Sequence, residues 1–186
     1  QNKGYYRDSK AHKLILILML LNKEITNWKG KVYVNELYSY TPGLNLFPVT
    51  QVQAVTFNLE GKIVLYKHID GYYGLPGGKI ETEEDFRSAL AREIKEEINA
   101  NLLDCAIFAY VKSYKESEPE KITFNLRYWA MVDAKTSGPV NDPAGKAVGR
   151  VVVSLVGAGA LLNWGKNGEL LIKLAVEELS RLRKMN

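Results

Sequence analysis

Period-two alternation of apolar and polar residues dominates the middle of the chain. Residues 51–57 and 62–68 read as two strands joined by a turn at Asn58-Leu59-Glu60-Gly61. Residues 103–114 and 121–133 predict a second pair, with a polar excursion at Glu116-Ser117-Glu118-Pro119-Glu120 between them. A Gly/Pro-rich loop over 137–149 then leads into a short strand at 150–154. Helical spacing takes over at 83–98, where Thr82 can cap and Glu83, Glu84 and Asp85 fill a first turn that favours acids. It returns at 168–184, with Leu171, Leu174, Ala175 and Leu182 on the inner side. Nearer the start, residues 9–24 predict a helix with Ser9 as N-cap, and residues 31–40 a strand broken by Thr41-Pro42-Gly43. Strands mixed with helices imply a sheet covered on both faces, a layered α/β arrangement. The expected division is an N-terminal helical and strand extension over 1–48 and a main body over 49–186.

Size and charge narrow the class. A chain of 186 residues, 46% hydrophobic and 25% charged, suits one globular unit with a modest extension. The net charge of +4 resides in residues 1–48, which hold seven Lys/Arg against three acids; the remaining residues balance. Without a Lys/Arg-rich run or a nucleic-acid motif, this excess reads as a solvated segment, and no nucleic-acid partner is expected. The single cysteine, Cys105, excludes an intramolecular disulfide and leaves no reason for a cysteine-based zinc cage. A reducing, cytoplasmic setting is the default. The eight apolar residues from Leu14 to Leu21 are too few for a membrane span. They cover more than one face of a helix, so they suit the core of the same subunit or a second copy of the chain, and a homodimer through this segment is the preferred expectation.

The chemistry concentrates on the helix at 83–98. At about 100° per residue, with Glu93 at 0°, Glu96 falls near −60° and Glu97 near +40°, so three carboxylates share one arc. Leu90, Ile94 and Ile98 form an adjacent apolar stripe that would hold those glutamates at the edge of the core. Like charges at these spacings repel and weaken the helix. A hard divalent cation offsets that repulsion; Mg²⁺ takes oxygen ligands and keeps substrate phosphates in its shell. Arg92 can fix a neighbouring carboxylate, and Gly77-Gly78 allows close backbone approach, so that a carbonyl could join the ligands.

Residues 78–100 resemble the Nudix box, G-x5-E-x7-R-E-u-x-E-E-x-G-u, with Gly78, Glu84, Arg92, Glu93, Ile94, Glu96 and Glu97 in register. Chance agreement at one start is on the order of 10⁻⁷ at ordinary residue frequencies. Asn99 stands where the family has glycine, and Ala100 where it has a larger apolar residue. The resemblance implies a Nudix-like α/β/α sandwich with a mixed β-sheet. It also implies magnesium-dependent hydrolysis (manganese is the alternative metal) of a phosphoanhydride in a nucleoside diphosphate linked to another group. A small-molecule nucleotide is then the partner. Glu93, Glu96 and Glu97 would bind the metal with the Gly77 carbonyl, and Arg92 would orient Glu93, the candidate base. Glu116, Glu118, Glu120 and Asp142 are other candidate bases outside the box. Glu84 supports the metal shell or simply favours the helix start. Gly78, Lys79, Tyr73 and Tyr114 are candidate substrate contacts, and Tyr72, Trp129 and Trp164 are further aromatics that could stack on a base or serve the core. The competing reading is a Nudix-fold domain that binds a nucleotide without cleaving it.

Overall fold

The structure, a computed structural model, describes residues 19–134 and 139–185. Among the described residues nine strands form one sheet. In chain order they are β1 (Leu20–Trp28), β2 (Lys31–Ser39), β3 (Val49–Phe57), β4 (Ile63–His68), β5 (Tyr73–Gly74), β6 (Gly77–Lys79), β7 (Asn101–Lys115), β8 (Glu118–Asp133) and β9 (Ala147–Val153). Three helices accompany them: α1 (Phe86–Ile98), α2 (Leu155–Leu162) and α3 (Gly165–Met185). The main path runs β1-β2-β7-β8-β3-β4-β5, with β6 on β3 and β9 on β4. β3 and β8 pair parallel and the other pairs antiparallel, so the sheet is mixed.

Strand alternation builds two cores, one on each face. Val52 and Ala54 of β3, with Leu126, Tyr128 and Ala130 of β8, pack under Ala89, Leu90, Ile94 and Ile98 of α1. Val55, Phe57 and Trp129 point the other way, to Ala158 and Leu162 of α2 and to Leu171 and Ala175 of α3. The expected α/β/α sandwich is therefore observed. The apolar stripe of α1 is fully buried, which fixes how that helix is rotated and so where its polar arc lies.

Three sequence expectations change. The helix expected over 9–24 lies outside the described residues as far as position 18, and from Leu20 onward the chain is strand. β1 pairs with β2 through Trp28↔Lys31, and both turn residues, Lys29 and Gly30, have positive φ. That two-residue hairpin turn matches the twist of the strands it joins, and ladder pairing overrides the helical spacing. The strand expected at 31–40 is present as β2, and it pairs with β7 of the main sheet. At α1, Asp85 rather than Thr82 is the cap: its carboxylate accepts from the Arg87 and Ser88 backbone N–H groups. Glu83 has φ 67°, so Glu83 and Glu84 precede the helix instead of opening it. Finally, α2 begins at Leu155, where Ser154 caps the Gly157 N–H.

The C-terminal end of α1 is closed by two residues. Asn99 adopts the left-handed conformation (φ 45°, ψ 51°) in the place where the Nudix box has glycine. Arg150 of β9 donates to the carbonyls of Ile98 (2.6 Å) and Asn99 (2.9 Å), placing a cation where the helix dipole is negative. Among the described residues, no helix is long and apolar enough to cross a membrane.

Candidate functional site

Gly77 and Gly78 lie in β6, beside β3 and against α1. Gly77 has φ 145°, and a Cβ there would collide with the Val52 carbonyl and Gln53 backbone, so only glycine fits. Its N–H donates to Glu97 Oε2 at 2.8 Å. A Cβ on Gly78 would instead meet the Glu93 carboxylate. The glycine pair therefore allows two glutamates of α1 to touch the β6 backbone.

Arg92 is the hub of the cluster. Its Nε and Nη2 donate to the two oxygens of Glu84 at 3.0 and 3.1 Å. Nη1 reaches Glu93 (3.0 Å) and Glu96 (3.3 Å), and Nη2 also donates to the Lys79 carbonyl (3.0 Å). Because Glu84 precedes the helix, its side chain can fold back over Arg92 in a two-point grip, and these bonds hold its carboxyl below the usual range. The same bonds, those to Glu84 foremost, raise the Arg92 pKa further.

The remaining acids are less well compensated. Burial pushes the Glu97 carboxyl up to about 8, reinforced by the charges of Glu93, Asp142 and Glu96 and opposed by the Gly77 N–H. Burial also raises Glu93, against the pull of Arg92. For Asp142, burial is outweighed by backbone N–H donors from Ala147, Ala144 and Lys146, which hold its carboxyl below the ordinary range. Of the four acids considered outside the box, Asp142 comes within electrostatic reach of Glu93 and Glu97, and the Asn141 N–H is fixed to the Glu96 carbonyl. Glu118 is taken up by Lys115 and Lys121 at the distant β7–β8 hairpin, which also carries Glu116 and Glu120.

Among the described residues, no three acid, histidine or cysteine side chains close on a single point as a finished metal cage. Arg92 bridges Glu93 and Glu96, while Glu97 turns to Gly77. The donors nonetheless fit a hard divalent cation. They are all oxygens, and one guanidinium serves Glu84, Glu93 and Glu96 while Glu97 and Asp142 add to the crowding of negative charge.

The other expected contacts disperse. Lys79 is exposed at the end of β6, with its carbonyl on Arg92. Tyr73 packs against the α2–α3 core, and Trp129 is buried in it. Tyr114 lies far along β7, its hydroxyl donating to Glu36 at 3.2 Å. Tyr72 stacks on His68 with ring centroids 4.1 Å apart. Tyr66, which sequence reasoning did not select, is a partly buried neighbour of the acids: burial raises its hydroxyl, with Glu97, Asp142 and Glu93 contributing. The alternation of β4 assigns Tyr66 a face but carries no sign of that proximity.

Gly78→Ala tests the close approach. We expect kcat/KM to fall by about ten- to a hundredfold as the new methyl displaces the Glu93 carboxylate, consistent with the cost of misplacing a reacting group by about 1 Å. The melting temperature should stay near that of the wild type, because a flexible side chain end yields. Steady-state kinetics beside a thermal melt checks both parts.

A family profile described as the NUDIX domain matches residues 48–159. A Bacillus subtilis (strain 168) protein described as a candidate 8-oxo-dGTP diphosphatase is 34% identical over 88 residues, covering 43% of this chain and 54% of that protein. The match thus spans about half the length of that relative. A Bacillus subtilis pyrophosphohydrolase structure superposes with a TM-score of 0.54 at 21% identity, over 71% of this chain and 77% of that one. A hydrolase structure from Nitrosomonas europaea also gives 0.54, at 17% identity, over 68% and 86% of the two chains. These structural likenesses speak for the fold.

Proposed function

Because this chain belongs to the Nudix family, we propose that it hydrolyses a phosphoanhydride bond in a nucleoside diphosphate linked to another group, in a magnesium-dependent reaction. The observation that carries this reading is the gathering of Glu93, Glu96 and Glu97 beside the β6 backbone, with Asp142 near and one arginine among them. Glu93, Glu96, Glu97 and the Gly77 carbonyl would hold the cation. A cation there neutralises phosphate oxygens and makes water a better nucleophile near neutral pH.

The chain's own residues do the rest. Arg92 holds Glu93 and Glu96 at one edge of the site, and Glu84 holds Arg92. Glu93 is the proposed proton acceptor: it is mostly covered, and burial raises its carboxyl above the ordinary value, which suits a general base. Asp142 is the alternative base. The exposed Lys79 ammonium is free to meet a phosphate at the mouth of the site. The relative's described activity makes a nucleoside triphosphate, the oxidised guanine nucleotide included, the first substrate to try.

The experiment is a panel of nucleoside triphosphates, dinucleoside polyphosphates, nucleotide sugars and ADP-ribose, assayed with Mg²⁺, with Mn²⁺ and with EDTA, products being identified. Turnover with either metal that EDTA abolishes is expected. Binding without turnover on every substrate would instead establish the nucleotide-binding reading. A homodimer through the N-terminal segment belongs to the same proposal, since β1 ends the sheet with Ile25 and Trp28 exposed. Sedimentation velocity should give a mass near twice that of the chain, and a monomer at all concentrations would remove it.

A further inference from the structure

Tyr66 lies on the α1 side of β4, packed against the core that Val64 shares with Ile94 and Ile98. Its partner across the β4–β5 ladder is Gly74. A Cβ at Gly74 would fall on Cε1, Cζ and Oη of the phenol, so the outer end of the ring rests on that glycine. Gly74 does not have a positive φ, so the missing side chain makes room for the ring and relieves no backbone strain. His68, two residues along the same face, flanks the ring with centroids 6.5 Å apart. His68 is itself fixed, since it stacks on Tyr72 and its Nδ1 accepts from the Asp70 N–H at 3.1 Å.

This seat adjoins the acids on two sides. Gly74 is three residues before Gly77, whose N–H holds Glu97; the chain between them spans at most about 10 Å. On the other side, Ala147 pairs with His68 in the β4–β9 ladder and donates its N–H to Asp142. Glu97, Asp142 and Glu93 all act on the hydroxyl, Glu97 most strongly of the three, and with burial they keep it protonated at neutral pH. Yet among the described residues Tyr66 Oη neither gives nor accepts a hydrogen bond. For packing alone, a phenyl ring would fill the same space and leave no hydroxyl to satisfy.

A diphosphate entering this site needs donors, and most of those present are engaged. Arg92 is bonded to Glu84, Glu93, Glu96 and the Lys79 carbonyl, and the Gly77 N–H to Glu97. Lys79 is exposed at the end of β6. A neutral phenol donates one hydrogen bond to an anionic oxygen, and such charge-assisted bonds are the strong ones. We propose that Tyr66 Oη donates to a non-bridging oxygen of the substrate's diphosphate on the Glu97 side of the site. The proposal rests on the hydrolase reading for the presence of a diphosphate, but the contact itself is read by binding without turnover.

The test is calorimetric binding of imidodiphosphate, a non-hydrolysable diphosphate, with Mg²⁺ to the full chain. In Tyr66→Phe the dissociation constant should rise about tenfold or more, the effect of losing a hydrogen bond to a charged group. The metal-free melting temperature should hold or rise, because the hydroxyl has no partner in the fold. Gly74→Ala pushes the phenol off its seat, so it should weaken binding similarly and add little in the Tyr66→Phe background. With tyrosine labelled by ¹³C at Cζ, the resonance missing from Tyr66→Phe should move in the wild type as imidodiphosphate binds. An unchanged dissociation constant in Tyr66→Phe, a Tyr66 resonance that stays in place during binding, or no binding by the wild type would overturn the proposal. Turnover of nucleotides with equal imidodiphosphate binding by wild type and Tyr66→Phe would leave the hydrolase reading standing without it. Weakened binding in Tyr66→Phe of a protein that turns over no nucleotide would leave this contact and remove the hydrolase reading.

Discussion

Glu97→Gln is expected to lower kcat by about three orders of magnitude, a loss of about 4 kcal/mol of transition-state stabilisation, and to make the metal-free protein more stable at pH 8. Both effects come from one placement. Glu97 is partly buried beside Glu93, Asp142 and Glu96 with the Gly77 N–H as its hydrogen-bond donor, and its carboxyl is raised from 4.5 to about 8. The unfolded chain releases that proton near 4.5 and the folded chain near 8. Between those values the folded state binds more protons, so stability falls as pH rises through this window. The full penalty is present above pH 8, on the order of a few kcal/mol at about 1.4 kcal/mol per pH unit of displacement. Glutamine carries no charge and escapes it. In EDTA, urea denaturation of the wild type should therefore weaken from pH 5 to pH 8, and that of Glu97→Gln should change far less. Added Mg²⁺ should recover the wild type at pH 8 and do little for the variant. A wild type whose metal-free stability rises across this range would show that Glu97 is not the strained group.

How much of this was readable beforehand depends on the range of the interaction. The arc of Glu93, Glu96 and Glu97 and the stripe of Leu90, Ile94 and Ile98 follow from helical geometry alone, and the buried stripe fixes the rotation of α1 as expected. β3, β4, β7, β8 and β9 are legible because alternation repeats over five or more residues, whereas β5 and β6 are too short to show it. Long-range partners were not. Arg150 closes the end of α1 from a strand more than fifty positions away, and Tyr66 lies beside the acids through a strand pairing that no spacing reveals. The N-terminal error has a different origin. Residues 20–24 are apolar and charged in a pattern a helix could use, but Lys29-Gly30 forms a tight hairpin, and pairing with β2 supplies hydrogen bonds that a helix frayed at the same place would lack. Glu84 sits between these cases. Its place in the box was clear, but its contact with Arg92 needs the helix to start after Asp85, which leaves Glu84 outside it.

Arg92→Ala should damage the stability and the activity of the site together. The guanidinium is three-quarters covered and touches carboxylates that are themselves mostly covered, with side-chain exposures of 24% for Arg92, 15% for Glu84 and 13% for Glu93. Removing one partner from such a set leaves its charges unpaired, which costs about 3–5 kcal/mol when burial is complete and about 2–3 kcal/mol at this exposure. Activity should fall by about a hundredfold or more, because Glu93 and Glu96 lose the group that fixes them and the Lys79 carbonyl loses its donor. Arg92→Lys should recover less than half of either loss: an ammonium cannot hold both Glu84 oxygens and still reach Glu93. Glu84→Gln acts through Arg92 alone, so it should cost about tenfold in kcat/KM in the wild type and nothing further in Arg92→Ala. A double-mutant cycle over Glu84 and Arg92 reads that coupling directly. Additive losses in the cycle would mean that Glu84 meets the substrate or the cation itself, and the two-point grip seen here would then be incidental to catalysis.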